Sequence, residues 1–123
     1  MYTGYELTEE SRAKLYRIYP PLFRNVIAHH ITEEFGVNHG DAPAQPKVVH
    51  VIGEAVSDDL KVQALLCAID FNEDRPDGSK YHITWSIDRR RGAKPVHSNK
   101  IIHEAVRRKD AIQIEVIPRF FER

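Results

Sequence analysis

Apolar and polar residues alternate most cleanly over 80–88. There Tyr81, Ile83, Trp85 and Ile87 fall on one side of an extended chain, and His82, Thr84, Ser86 and Asp88 fall on the other. That period of two predicts a strand with one core face and one polar face. The stretch 26–35 has the same character: Ile27, Ile31 and Phe35 mark a buried side, while His30, Thr32 and Glu34 mark the opposite one. His29 falls on the buried side of this strand and reads as a structural hydrogen-bonder. Two further strands, 47–55 and 61–71, are rich in Val, Ile and Leu and flank the turn signal Ser57-Asp58-Asp59. A last strand is predicted over 111–117.

Helical signals frame this set. Thr8 can cap a helix whose first turn holds Glu9, Glu10 and Ser11, acidic residues that suit the positive helix end. Leu7, Leu15 and Ile18 share a face, and Pro20-Pro21 ends the element. The stretch 38–46, with Gly40, Pro43 and Pro46, reads as a loop, and 72–79, containing Arg75-Pro76-Asp77-Gly78, as a turn. After a basic loop with Gly92 and Pro95, Ser98 can cap a second helix running through Ile101, Ile102, Ala105 and Val106. The predicted order is helix, four strands, helix, strand. The expected class is therefore α+β, a mostly antiparallel sheet covered on one side by about two helices.

Composition narrows this picture. A chain of 123 residues suits one domain, 1–123, and no linker or low-complexity segment divides it. Lys plus Arg equals Asp plus Glu, 18 each, so net charge gives no general argument for nucleic acid or membrane. The basic residues are nonetheless clustered, with Arg89, Arg90, Arg91 and Lys94 in one group and Arg107, Arg108 and Lys109 in another. The single cysteine, Cys67, excludes an internal disulfide and a multi-cysteine zinc site. It lies in an apolar run and reads as a buried thiol. No apolar stretch approaches the ~20 residues of a membrane span, and the N-terminus lacks a charged segment followed by an apolar one. A cytoplasmic protein without membrane association is expected, and no obligate protein partner is evident.

The candidate chemistry lies on the two polar strand faces. His30-Ile31-Thr32 and His82-Ile83-Thr84 repeat one triplet, and in each the His and Thr point the same way. A His-x-Thr spacing alone is weak evidence. The shared isoleucine, the strand setting and the polar face strengthen it. Cleaving a phosphodiester without a metal needs a base to activate water and an acid to protonate the departing oxygen, and imidazole serves either purpose near neutral pH. A threonine hydroxyl two residues on can donate to a non-bridging phosphate oxygen as charge builds there.

With these motifs the chain resembles the 2H phosphoesterase superfamily, named for two His-hydrophobic-Thr/Ser motifs, which includes LigT-like RNA cyclic phosphodiesterases. The stretches TGYELTEESRAKL, VIAHHITEEFG, YHITWSID and KPVHSN also look similar to small bacterial and phage proteins with paired motifs. The resemblance implies a bilobed α+β fold around a central cleft and metal-independent action, with no cofactor. The substrate it implies is a 2′,3′-cyclic phosphate RNA end or a related cyclic nucleotide or oligonucleotide. It carries His30, Thr32, His82 and Thr84 over as catalytic residues. The motif histidines are closer in sequence than in LigT-like enzymes, and that leaves the substrate class open.

Several residues stand as supporting candidates. Lys94, Ser98 and Asn99 precede or open a helix, whose backbone N–H groups favour an anion; equally, Ser98 is simply a cap and the arginines a solvated turn. Tyr5 can stack a base, and Tyr81 less well because it alternates into the core. Ser86 shares the motif face and is a candidate contact, as Glu34 and Asp88 are candidate tuners of the histidines. Two other classes of function stay open. His29, His30, His82 and His97 are a possible zinc cluster, although neighbouring His29 and His30 point to opposite faces. The same cleft also serves a non-catalytic RNA- or nucleotide-binding module.

Overall fold

The computed structural model describes residues 1–37 and 40–122. Positions 38 and 39 of the expected 38–46 loop lie outside the described residues. Among the described residues eight strands, β1 (Tyr2–Leu7), β2 (Asn25–Val26), β3 (His30–Phe35), β4 (Val49–Ser57), β5 (Val62–Ile69), β6 (His82–Ile87), β7 (Val106–Ile114) and β8 (Val116–Phe121), form one sheet. Its order is β7-β4-β5-β6-β3-β1-β8, with β2 paired on β6, and the pairings among the described residues are antiparallel. With helices α1 (Glu9–Ile18) and α2 (Ser98–Ile101), the fold is α+β with a mostly antiparallel sheet. No helix among the described residues is long and apolar enough to cross a membrane.

α1 begins where its cap predicts: the Ser11 N–H donates to Thr8 Oγ1 at 3.2 Å, and Glu9 and Glu10 occupy the first turn. Its apolar face meets one side of the sheet. Leu15 and Tyr19 pack with Tyr5, Leu7, Ile31, Leu65, Cys67, Ile83 and Trp85, and Trp85 Nε1 donates to the Tyr19 carbonyl at 2.7 Å. The opposite side buries Val62, Ala64, Leu66 and Ile87 against Ala93, Ile101 and Ile102. The helices thus lie on opposite faces, not on one. β5 is buried along its whole length because both layers close over it.

Four other expectations are corrected. β1 is a strand the alternation pattern does not announce; it is formed by pairing with β3 and β8 on its two edges. The strand expected over 26–35 is broken at Ala28, which adopts φ 41° and passes its N–H to the Thr84 carbonyl, while Ile27 donates to Trp85. The second helix is only the short α2 between 3-10 turns at Pro95–His97 and Ile102–Glu104, since Val106 is drawn into a ladder with Glu54 on β4. The region after it forms two strands, β7 and β8, where one was expected.

The motif strands share a local irregularity that period-two reading cannot foresee. Thr3 and Gly4 of β1 face Glu34 and Thr32, so Glu33 is an extra residue in β3. Gln63 and Ala64 of β5 face Ser86 and Thr84, so Trp85 is an extra residue in β6. Each His-Ile-Thr triplet is thus followed at once by a β-bulge, beyond which the alternation of faces reverses. As a result Phe35 lies on the motif side of the sheet and Ile87 joins the cluster around Ile101.

Candidate active site

β3 and β6 meet through one ladder pair, Ile31 opposite Ile83, and both isoleucines are fully buried in the α1-side core. The flanking residues therefore turn their side chains to the α2 side. There His30, Thr32, His82 and Thr84 all line one cavity of about 370 Å³, together with Tyr2, Ile27, Phe35, Arg75, Lys94 and Asn99 and the Pro95-Val96 backbone turn. Antiparallel register sets His30 beside Thr84 and Thr32 beside His82, so that the two histidines occupy diagonal corners.

His82 is largely buried, and its Nδ1 lies 2.8 Å from the Lys80 carbonyl. A carbonyl only accepts, so Nδ1 carries a hydrogen and the neutral ring presents a bare Nε2. Burial pulls its pKa below the ordinary histidine value. The bond to Lys80 opposes this, and the positive charge of Arg75 adds to the lowering. Thr84 Oγ1 donates to the Pro95 carbonyl at 3.3 Å and lies 2.8 Å from Ser98 Oγ, which ties β6 to the segment leading into α2. His30 packs against the rings of Tyr2 and Phe121, with centroids 5.2 and 5.1 Å away. Its Nδ1 lies 3.1 Å from Nδ1 of His29.

Among the supporting candidates, Lys94 and Asn99 line the cavity. Ser98 does not; it is fully buried and holds Thr84. Ser86 is not brought to the cleft, because the Trp85 bulge turns it to the α1 side. There it donates to Gln63 Oε1 at 2.6 Å and accepts from the Phe23 N–H. Tyr5 is likewise outside the cleft, in the α1-side core, with its hydroxyl 3.5 Å from Glu33; burial holds its phenol well above the ordinary tyrosine range. Tyr81 is buried in the same core. Asp88 accepts from the Arg90 N–H and caps the 3-10 turn Arg89–Arg91.

Arg75, Tyr2 and Phe35 are cleft residues that the sequence reading does not single out. Arg75 is nearly buried, donates from Nε to the Glu33 carbonyl at 3.3 Å, lies 3.5 Å from Asp77 and sits 5.6 Å over the Phe35 ring. Its turn, Arg-Pro-Asp-Gly, is legible in sequence, but the reach of the guanidinium across to β3 is not. Tyr2 becomes a neighbour of Phe35 only through the β1–β3 register. Among the described residues, no group of three His, Cys, Asp or Glu side chains is arranged to hold a metal ion. No protein-family model, curated protein or solved structure matches this chain.

Proposed function

We propose that this chain is a metal-independent phosphodiesterase acting on 2′,3′-cyclic phosphate RNA ends or a related small cyclic nucleotide or oligonucleotide, in the cytoplasm where such substrates arise. The observation that carries the reading is the convergence of His30, Thr32, His82 and Thr84 on one cavity, each histidine diagonal to the other. The division of β7-β4-β5-β6 from β3-β1-β8, joined at Ile31–Ile83, supports the two-lobed arrangement that the 2H resemblance implies.

Roles follow from hydrogen bonding. His82, neutral and bare at Nε2, takes a proton from the attacking water. His30, at the opposite corner, gives a proton to the departing sugar oxygen as the P–O bond breaks. The balance is one water consumed, one phosphodiester bond opened, one proton gained by His82 and one lost by His30. Thr32 donates to a non-bridging oxygen. Thr84 accepts from Ser98 and turns its own hydrogen from the Pro95 carbonyl to the phosphate. Arg75 and Lys94 supply positive charge along the cavity wall.

The test is hydrolysis of nucleoside 2′,3′-cyclic phosphates and a short RNA with a cyclic end, in excess EDTA. Turnover by the native protein and its loss in His30→Ala and His82→Ala are expected. Wild-type rates in both variants would overturn the assignment. Micromolar binding without turnover across the panel would replace it with the binding-module reading.

A further inference from the structure

His30 does not stand alone. Its Nδ1 faces Nδ1 of His29 at 3.1 Å, a distance that requires one nitrogen to carry hydrogen and the other to accept. His29 presents its other nitrogen, Nε2, to Glu6 at 3.7 Å. Glu6 in turn accepts from Arg119 Nε at 2.9 Å, and that bond holds its carboxyl below the usual carboxylate range. Arg12 on α1 and Arg119 on β8 are cations near this carboxylate; Glu9, bound to Arg12, and Glu10 are the acidic residues in the first turn of α1. Across the cleft stands His82, whose ring is fixed by a backbone carbonyl instead.

We infer that His29 is a positioning residue that shares a proton with His30 and so sets His30 to act as the general acid. This rests on the phosphodiesterase reading for its purpose, though not for its geometry. An ionised Glu6 keeps hydrogen on His29 Nε2. With both rings neutral, His29 Nδ1 then accepts from His30 Nδ1–H, and His30 Nε2 carries no hydrogen. One added proton changes this arrangement. The hydrogen between the rings is held from the His29 side, the charge rests beside Glu6, and His30 now carries hydrogen on Nε2. When His30 passes that hydrogen to the leaving oxygen, the shared one moves from His29 Nδ1 to His30 Nδ1. The pair loses one proton in all, and His29 returns to neutral. Among the described residues His82 has no such imidazole partner, so the two motif histidines are chemically unequal although their triplets are identical.

The pair is observable without turnover. In ¹⁵N-labelled protein, long-range ¹H–¹⁵N correlation spectra report which ring nitrogen of each histidine bears hydrogen, with His30→Gln supplying the assignment. At high pH His30 should appear as the Nδ1–H form, the minor form of free histidine. In His29→Phe it should revert to Nε2–H, and in His29→Asn, which keeps an amide near the Nδ1 position, the native form should largely return. Glu6→Gln, which keeps a side chain of the same size opposite His30 in the β1–β3 ladder, should weaken the shared proton in the same direction as His29→Phe. With substrate, His29→Phe should lower kcat by about 10- to 100-fold with KM little changed, within the ~10²–10⁴-fold general acid–base contribution. A His30 tautomer that is the same in native protein and in His29→Phe overturns the inference even if the enzyme is active. An intact shared-proton signature in a protein that turns over no phosphodiester instead overturns the function reading and leaves the histidine pair standing.

Discussion

Ile31 and Ile83 lie directly opposite one another in an antiparallel ladder, each the middle residue of a His-Ile-Thr triplet. Their buried side chains anchor β3 and β6 to the α1-side core, and the pairing fixes what faces the cleft. Each histidine thereby lies beside the threonine of the other triplet. We expect His30→Ala and His82→Ala each to lower kcat on a cyclic nucleotide by roughly 10²–10⁴-fold. Thr32→Val and Thr84→Val should cost up to about 10²-fold, as loss of one donor to a developing charge does. Steady-state kinetics in EDTA check the ranking; a threonine variant slower than both histidine variants would reverse the roles.

The acid limb of kcat/KM should report His82. Burial first, and Arg75 second, lower its pKa, so the base-competent neutral ring persists below the ordinary value near 6.5. Arg75→Gln removes the repelling charge, and the limb should then move to higher pH while KM rises. Stability follows the same linkage. The contribution of a neutral, buried His82 is fully present above the unfolded-state pKa. It is lost as pH falls through that value toward the folded-state one, because the unfolded chain binds the proton more readily. Urea midpoints of native protein and His82→Gln between pH 5 and 8 should therefore converge on the acid side.

Gly4 sits on β1 beside the first bulge, and a Cβ there would overlap the Ile31 carbonyl oxygen and press on the Thr32 Cα at 3.2 Å. The obstacle is backbone, which cannot swing away. Gly4→Ala should destabilise the fold by about 1–3 kcal/mol and lower kcat as well, because β3 carries His30 and Thr32. A variant with unchanged urea midpoint and unchanged kcat would show that β1 gives way freely.

Cys67 is fully buried beneath the same core, and its thiol is pushed well above its ordinary pKa by desolvation. A disulfide reagent should leave it untouched in the native protein and modify it at the rate of unfolding. Rapid labelling under native conditions would contradict the close packing of β5.

The thread from sequence to site runs through particular residues. The alternation around His82 exposed a two-faced strand, and the matching triplet at His30 marked its partner, because both depend only on neighbouring residues of an extended chain. Thr8 likewise announced α1 through a cap that involves three residues. Ser86 and Phe35 lie on the sides opposite to those their alternation predicts, for one reason. A bulge is a property of the strand across the ladder as much as of its own sequence, and each one reverses every side chain beyond it. Tyr5 reads as a cleft candidate from sequence because β1 itself, made by pairing on both edges, leaves no mark in the local pattern.

By itself, then, the sequence determined the α+β class, the two His-Ile-Thr faces and the buried thiol, all consequences of local periodicity and apolar content. Only the tertiary structure decided that Ile31 meets Ile83, that Arg75 and Tyr2 enter the same cavity, and that His29 stands against His30 with Glu6 behind it. Those relationships join residues far apart in the chain through strand register and bulge position, and register is chosen by how whole faces of the sheet bury together.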